Sequence, residues 1–460
     1  MTTALITYED GTLVSNEQNK DLKQLPHFEL DTRTGQFRAK GMDYKDIILS
    51  LREKKIPYED KVKNYETLTL HCKKVLQLRT YQVEAINKWK LAEKRGVIAL
   101  PTGAGKTIVA VASIFEAKRS SLIIVPTIDL LHQWRDVLEQ YINQPIGLLG
   151  DGYKDIKMIT VSTYDSARLT IEKIGDRFGL IIFDECHHLP SPQYQFIAQC
   201  AIAPFRLGLS ATVQRADGKE SRIYELLGPL VFEGKITDFV AQSLAPYDVI
   251  QIEIELTKDE RESYKKARDK YIRFIQKHRI NFSQKDAWKR FLFLSSRSKE
   301  GREAFLAQRE QKLIAQRAKG KMACVWNLLN QHSQEQMIIF TDDNQTAYKI
   351  GTMFFLPVIT HKTKDKERKK FLEGFRNGDL KVLVTSRVLN EGVDVPEASI
   401  GVVVSGTGAV REHVQRLGRI LRPRPGKRAL LYELVSQSTN EVHVNQRRRQ
   451  HDAYEGSFET

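Results

Sequence analysis

Two adjacent acids, Asp184 and Glu185, end the apolar run Leu180-Ile181-Ile182-Phe183, and Cys186, His187 and His188 follow directly. A cysteine beside two histidines offers zinc-ligand types. A zinc site would need two further ligands at suitable spacing, and none stands nearby in the chain. The acids have a different use if a phosphate-binding loop lies elsewhere. "LPTGAGKT", residues 100–107, has that form: the apolar "VIAL" leads into it and the helix-like "IVAVASIFEA" follows. Gly103 and Gly105 let the backbone turn its N–H groups toward a phosphate. The helix start adds its positive dipole end. Lys106 has the reach for the β- and γ-phosphates, and Thr107 the hydroxyl for Mg²⁺. The loop departs from the full eight-residue pattern, with Leu100 where the first glycine would stand. Such a loop also needs an acid at the end of a neighbouring strand to hold Mg²⁺, and Asp184, 78 residues after Lys106, fits. Glu185 is then placed to polarise the attacking water. His187 reads as a coupling residue, hydrogen-bonding toward a neighbouring polar motif such as Ser210-Ala211-Thr212. For His188 a packing role is equally suitable.

These groups need rigid elements to hold them. From 73 to 245 short aliphatic runs alternate with helical stretches: "GVIAL", "SLIIVP", "MITVST", "GLIIF" and "FRLGLS". Runs of this length and composition are buried parallel strands, and their alternation predicts a doubly wound α/β domain. "PYDVIQIEIELTK", 246–258, reads as one further strand. The α/β texture returns from 321 to 460 in "QMIIFT", "LPVIT", "KVLVTS", "SIGVVVS" and "ALLYELV", so 246–258 plus 321–460 form a second parallel-sheet domain. Residues 1–72 read as a small α+β module, with a strand in "GQFRAKG" and a helix in "DYKDIILSLREKKI". That helix shares Ile47, Ile48 and Leu51 on one face and takes Asp43 as its N-cap.

Between the sheets lies a helical insertion, 259–320. Residues 261–320 hold 18 Lys and Arg against 6 Asp and Glu, so most of the formal net charge of +15 is concentrated there. Tyr264, Tyr271, Phe274, Phe282, Trp288, Phe291 and Phe293 are interleaved with the cations. Some of these rings must form the insertion's own core. The rest of the pattern favours contact with DNA or RNA over a merely solvated face. A sequence pI near 9.4 agrees with a polyanion partner. The four cysteines, at 72, 186, 200 and 324, have no close spacing, so neither a disulfide framework nor a zinc ribbon is indicated, and a reducing compartment fits. No apolar run approaches the roughly 20 residues of a membrane span, and the N-terminus lacks signal-peptide order. The expectation is a soluble cytoplasmic, chromosome-associated protein with no membrane role.

Near the C-terminus, "QRLGRILRP" (415–423) spaces Arg419 and Arg422 one helical turn apart. Their guanidinium forks suit phosphate oxygens, and arginines from a second domain can stabilise charge on a transferring γ-phosphate.

Together these residues resemble the superfamily-two helicases. "LRTYQ" (78–82), "PTGAGKT", "DECHH", "SAT", "VTSRVLNEGVDVPEA" and "QRLGRILRP" are similar, in order, to that superfamily's motifs from the adenine-reading element to motif VI. "DECH" places the resemblance in the DExH branch, and it covers about 75–435. It implies two tandem RecA-like domains that clamp ATP between them, with nucleic acid lying across both. It assigns nucleotide binding to Arg79, Gln82, Thr102, Gly103, Ala104, Gly105, Lys106, Thr107, Gly392, Asp394 and Gln415. Catalysis falls to Lys106, Asp184, Glu185, Arg419 and Arg422, Mg²⁺ to Thr107 and Asp184, and coupling to His187, Ser210 and Thr212. Pro126 and Thr127 of "IVPTIDLLHQW", with Thr385, Arg215 and Asp217, fall on the nucleic-acid path.

A finer resemblance is to the XPB family in its archaeal or bacterial form. That family carries Arg-Glu-Asp after the Ser-Ala-Thr segment, where this chain has Arg215-Ala216-Asp217. The missing acid leaves duplex translocation, local opening and processive unwinding all open. The family implies a thumb-like insertion at 259–320, a damage-recognition-like module at 1–72, 3′→5′ polarity and a nuclease or repair partner. An RNA-dependent ATPase and the motor of a nuclease or restriction complex are the alternatives. The second would need a partner, since no carboxylate-lysine nuclease cluster stands in the chain.

Overall fold

The computed structural model describes residues 3–15, 22, 25, 27–101, 103–211, 218, 220–234, 247–282, 284, 286–386, 398–405 and 429–442. They form two compact units, one ending near residue 234 and one beginning at 247.

The first unit opens with a five-stranded sheet. Its strands are β1 (Ala4–Glu9), β2 (Thr12–Ser15), β3 (Glu29–Asp31), β4 (Gln36–Lys40) and β5 (Tyr58–Asp60), in the order β3-β4-β2-β1-β5. β1 and β5 are parallel, and the other pairs are antiparallel. The helix Tyr44–Glu53 buries Tyr44, Ile47, Ile48 and Leu51, the face its apolar spacing predicts. Asp43 precedes this helix but makes no side-chain cap bond, contrary to expectation. Its backbone is already helical, closing the short 3₁₀ turn Gly41–Asp43, so its carboxylate is not placed over the first amides.

This module is seated on the domain that follows. The Tyr8 hydroxyl lies 3.1 Å from the Ile171 carbonyl and 3.0 Å from that of Cys200. Ile202 completes the module's own apolar core. Gly41 approaches so closely that a Cβ there would stand 2.0 Å from the Cys200 carbonyl oxygen.

The second sheet of this unit has eight strands: β6 (Arg95–Ala99), β7 (Ser121–Val125), β8 (Ile146–Gly150), β9 (Tyr153–Asp155), β10 (Ile159–Thr163), β11 (Leu180–Phe183), β12 (Phe205–Ser210) and β13 (Leu230–Glu233). Their order is β13-β6-β12-β11-β7-β10-β8-β9, and only β9 runs antiparallel to its neighbour. Strands β7, β8, β10 and β11 are buried at every position, as strands covered on both faces must be. The phosphate loop follows β6, and the paired acids follow β11. One strand, β12, separates them, so all three ends meet at the carboxyl edge where open α/β sheets hold their ligands.

The second unit is a six-stranded, wholly parallel sheet: β14 (Tyr247–Ile254), β15 (Met337–Phe340), β16 (Val358–Ile359), β17 (Val382–Thr385), β18 (Ile400–Val403) and β19 (Ala429–Ser436). Its order is β14-β19-β18-β15-β17-β16, with β14 in register against β19 over eight residues. Between β14 and β15 run the helices Lys258–Lys277, Ala287–Ser296 and Lys299–Gln316. Thr257 and Glu260 start the first of them as a reciprocal capping box. Phe274, Ile280, Ala287, Phe291 and Ala304 form a small core within these helices. Tyr264 instead joins the sheet core, and its hydroxyl accepts from the Asn440 amide at 2.9 Å. Lys321 ties the base: its fully buried ammonium donates to the Val404 carbonyl at 2.8 Å and to Glu441 at 2.7 Å. Among the described residues no helix is long and apolar enough to cross a membrane.

The close approach at Gly41 gives a stability test. Gly41→Ala pushes a methyl into a backbone carbonyl that cannot swing aside. Overpacking of that kind costs about 1–3 kcal/mol. Thermal unfolding is expected to shift down, with earlier proteolytic release of the N-terminal module than in the unchanged protein.

Candidate functional site

The loop after β6 turns through Gly103 and Gly105, with φ of +87° and +81°. Gly105 has a second reason to lack a side chain, because a Cβ would stand 2.5 Å from Gln82 Nε2. Gln82 is itself part of the loop's scaffold. Its Nε2 donates to the Ala104 carbonyl at 3.1 Å and its Oε1 accepts from the Arg79 amide at 3.0 Å. Tyr81, which sequence reasoning missed, donates its hydroxyl to the same Ala104 carbonyl at 2.9 Å. Both ends of the Gln82 amide thus hold the loop in place. A cavity of about 570 Å³ opens beside it, lined by Lys74, Gln77, Arg79, Gln82, Gly105 and Tyr141 among others. Arg79 is exposed there, with its guanidinium on the Tyr81 hydroxyl at 3.2 Å.

Lys106 and Thr107 begin the helix Lys106–Ala117, whose N-terminus faces the loop. Lys106 Nζ lies 3.0 Å from Glu185 Oε1, with both side chains nearly buried. Glu185 holds a left-handed backbone, φ +48°, where a non-glycine residue is strained. Its other oxygen lies 3.3 Å from His187 Nδ1, and the same nitrogen lies 3.3 Å from Ser210 Oγ at the end of β12. Burial works to raise the Glu185 carboxyl, but the Lys106 ammonium and the His187 contact outweigh it and hold it well below the usual range. Glu185 is thus held as an ionised, oriented carboxylate.

Asp184 is built differently. Trp134 Nε1 donates to its Oδ2 at 2.9 Å, the Glu185 amide to its Oδ1 at 3.0 Å, and the Tyr164 hydroxyl to its backbone carbonyl at 3.0 Å. Burial, together with the Glu185 charge beside it, raises its carboxyl to about 6 despite Lys106. A buried carboxylate under that stress is a fitting ligand for a hard dication, which takes oxygen donors and cancels the excess charge. Trp134 and Tyr164 escaped the sequence reading. Cys186 is fully buried, and burial with the flanking carboxylates pushes its thiol far up, which keeps it a neutral thiol in this setting. His188 packs its ring 4.3 Å from His187 and 5.9 Å from Tyr164.

Pro126 and Thr127 follow β7 at the same edge, half-buried; Thr127 Oγ1 caps the next helix, accepting from the Leu130 amide at 3.3 Å. In the second unit Thr385 does not present its hydroxyl at the surface. It is fully buried, with Oγ1 donating to the Ser386 carbonyl at 2.9 Å, so the phosphate contact expected there is not formed by this side chain. Thr102, Thr212, Arg215, Asp217, Gly392, Asp394, Gln415, Arg419 and Arg422 lie outside the described residues.

Three family models match the chain in order. Residues 6–62 match the Xeroderma pigmentosum group B helicase damage recognition domain, 75–215 the Type III restriction enzyme res subunit, and 293–456 the ERCC3/RAD25/XPB C-terminal helicase. The DNA 3'-5' translocase XPB2 of Sulfurisphaera tokodaii is 40% identical over 414 residues, covering 90% of this chain and 94% of that protein. The DNA 3'-5' helicase XPB of Mycobacterium tuberculosis is 31% identical over 395 residues, 83% of this chain and 64% of its own length. The helicase domain of Pyrococcus furiosus Hef superposes with a TM-score of 0.52 at 19% identity, covering 82% of this chain and 98% of that one, which is a likeness of fold.

The Lys106–Glu185 pair yields a pH-dependent stability. The folded-state pKa of Glu185 is depressed, so the pair stabilises above the ordinary carboxylate range and loses that contribution as pH falls through the depressed value. Lys106→Ala removes the main cause of the depression and leaves a buried charge short of a partner, at a cost of about 1–3 kcal/mol. Denaturant unfolding at pH 7 is expected to show that gap from the unchanged protein, narrowing as the pH drops below about 4.

Proposed function

The chain belongs to the XPB helicase family, and from that premise we propose that it is an ATP-driven motor that translocates 3′→5′ on DNA and opens duplexes locally during DNA repair. The observation that carries the chemistry is the array Lys106–Glu185–His187–Ser210 at the carboxyl edge of one sheet. A glycine loop at a helix start supplies backbone donors for phosphates, and Lys106 adds a cation that can transfer from Glu185 to a γ-phosphate. As Lys106 moves to the phosphate, Glu185 loses the charge that holds its carboxyl down, and it then orients and deprotonates the attacking water. Thr107 and Asp184 are the residues that would hold Mg²⁺, which neutralises charge on the phosphates when bound. His187 joins Glu185 to the end of β12, whose chain continues into the Arg215-Ala216-Asp217 segment that we assign to DNA by family pattern. Arg419 and Arg422 are assigned by motif alone to charge stabilisation at the transferring phosphoryl group. The cavity bordered by Arg79, Gln82 and Tyr141 is the proposed seat of the adenosine moiety.

The work is on the chromosome, in concert with a nuclease or other repair protein. A motor subunit of a restriction complex is the second reading, favoured by the match of 75–215 to a restriction enzyme subunit.

ATP hydrolysis by the full chain, measured alone and with single-stranded, blunt duplex and forked DNA or RNA, tests the proposal. DNA is expected to stimulate turnover. Lys106→Ala is expected to abolish turnover while leaving DNA binding within a few-fold, and Glu185→Gln to lower turnover by roughly 10²–10⁴. Stimulation by RNA alone would sink the DNA assignment. Trp134→Phe removes a donor from Asp184, so the Mg²⁺ concentration for half-maximal turnover is expected to rise roughly 10- to 100-fold, the usual effect of losing a supporting hydrogen bond to a metal ligand.

A further inference from the structure

The helical insertion carries a cavity that ATP chemistry does not use. About 660 Å³ opens where the helix Ala287–Ser296 turns into Lys299–Gln316. Leu292 and half-buried Phe305 form its apolar wall, and Arg297, Lys299 and Arg302 stand around it. Ser298, also at its rim, caps the second helix by accepting from the Gly301 amide at 2.9 Å. No carboxylate lines the cavity among the described residues.

Part of the insertion's charge is compensated by acids, but not the part that lines this cavity. Lys277 pairs with Glu300 at 2.6 Å, Lys289 with Asp286 at 3.1 Å, Lys312 with Asp342 at 3.2 Å and Arg317 with Asp343 at 2.8 Å. Among the described residues Arg297, Lys299 and Arg302 have no such acidic partner. Glu300, the adjacent acid in the chain, is drawn off to Lys277. Three like charges around one opening repel each other, and an anion there relieves the repulsion.

Aromatic surface adjoins the cations. The Arg297 guanidinium lies over the Phe293 ring at 4.0 Å, and that ring is 54% exposed. Trp288, 44% exposed on the same helix, rests its ring 5.2 Å from that of Phe291 and 6.4 Å from that of Phe282. A duplex backbone offers phosphates and sugars to such a surface and has no use for flat rings. An acidic peptide would use the cations but not the rings. An unpaired nucleotide uses both, since its phosphate needs cations and its uncovered base needs a stacking partner.

We propose that this cavity is a subsite for an unpaired stretch of DNA. A backbone phosphate is held by Arg297, Lys299 and Arg302, one base rests on the wall of Leu292 and Phe305, and its neighbour stacks on the Arg297–Phe293 platform. This deepens the DNA-motor reading and rests on it: the insertion grips the strand that duplex opening releases, not only the duplex.

Full-length protein is titrated with a fluorescently labelled oligo-dT, an abasic oligomer of the same length, and blunt duplex. Arg297→Ala with Arg302→Ala is expected to weaken oligo-dT binding at least tenfold. It should also lower the salt dependence, log K against log salt, by about 0.7, for the one phosphate no longer neutralised. Phe293→Ala is expected to weaken oligo-dT binding roughly 5- to 150-fold, the range for one stacked base, with less than a twofold change on the abasic oligomer. ATP turnover without DNA stays unchanged in these surface variants. Equal losses on oligo-dT and abasic oligomer with Phe293→Ala overturn base stacking. Equal losses on oligo-dT and duplex overturn the preference for an unpaired strand. Unaltered oligo-dT binding in both variants, or displacement of oligo-dT by polyglutamate at lower concentration than by unlabelled oligo-dT, overturns the site. Failure of any DNA to stimulate ATP turnover in the unchanged protein is a separate result that strikes the motor reading itself.

Discussion

Two carboxylates buried side by side at the end of β11 set the terms for the whole first unit. Asp184 and Glu185 stand on consecutive residues with almost no solvent between them. Left alone, both would take up protons, because burial and mutual repulsion disfavour two adjacent charges. The fold divides them instead. Glu185 turns through a strained left-handed backbone toward Lys106 and His187, which keep it ionised. Asp184 faces Trp134 and retains a raised carboxyl that a dication would lower. Two consecutive acids thereby differ in charge state and in partners, which is what the separate roles proposed for them require.

That division explains the strand order. Lys106 belongs to the loop after β6, and Ser210 ends β12, which lies between β6 and β11. His187 therefore meets Glu185 and Ser210 through a single nitrogen. A different order would separate the lysine from the acids or remove the serine from the histidine. Trp134 and Tyr164 enter from helices after β7 and β10, the next strands on the other side. Each partner of the carboxylates comes from within a few strands of β11, and none depends on a loop far from the sheet.

Much of this was legible in the residues. The aliphatic runs marked most strands of the two parallel sheets, because strands buried on both faces cannot vary their composition. β8, β9 and β13 escaped. β8 contains two glycines, and β9 and β13 are short, with β9 exposed throughout, so their identity comes from pairing rather than from pattern. The ionic partners Lys106 and Glu185 were readable because phosphate chemistry restricts residue types. Their supports, Tyr81, Trp134 and Tyr164, were not, since an aromatic in an apolar helix looks the same whether or not its polar atom has a task. The reverse held for Asp43 and Thr385. Their types suited a cap and a phosphate contact, but local backbone direction and burial gave the side chains other places.

The N-terminal module meets this machinery at the segment that leads into β12. Tyr8 and Gly41 rest on Cys200, and Ile202 enters the module's core. A few residues on, Arg206 lies fully buried with no carboxylate bonded to it among the described residues, its guanidinium donating to the carbonyls of Ala198, Ala201, Ala203 and Leu226. Burial lowers its pKa to about 9, which still leaves it charged at neutral pH. Backbone carbonyls cannot rotate away as carboxylate side chains can, so this arginine fixes the path of the corner on which the module sits. The same strand ends four residues later at Ser210, against His187. A short stretch of chain thus has to satisfy three demands at once: a seat for the module, four carbonyls for a buried cation, and a hydroxyl for the histidine that braces Glu185. Rigid backbone is the common solution to all three, and it makes the module a fixed part of the first unit rather than an appendage on a tether.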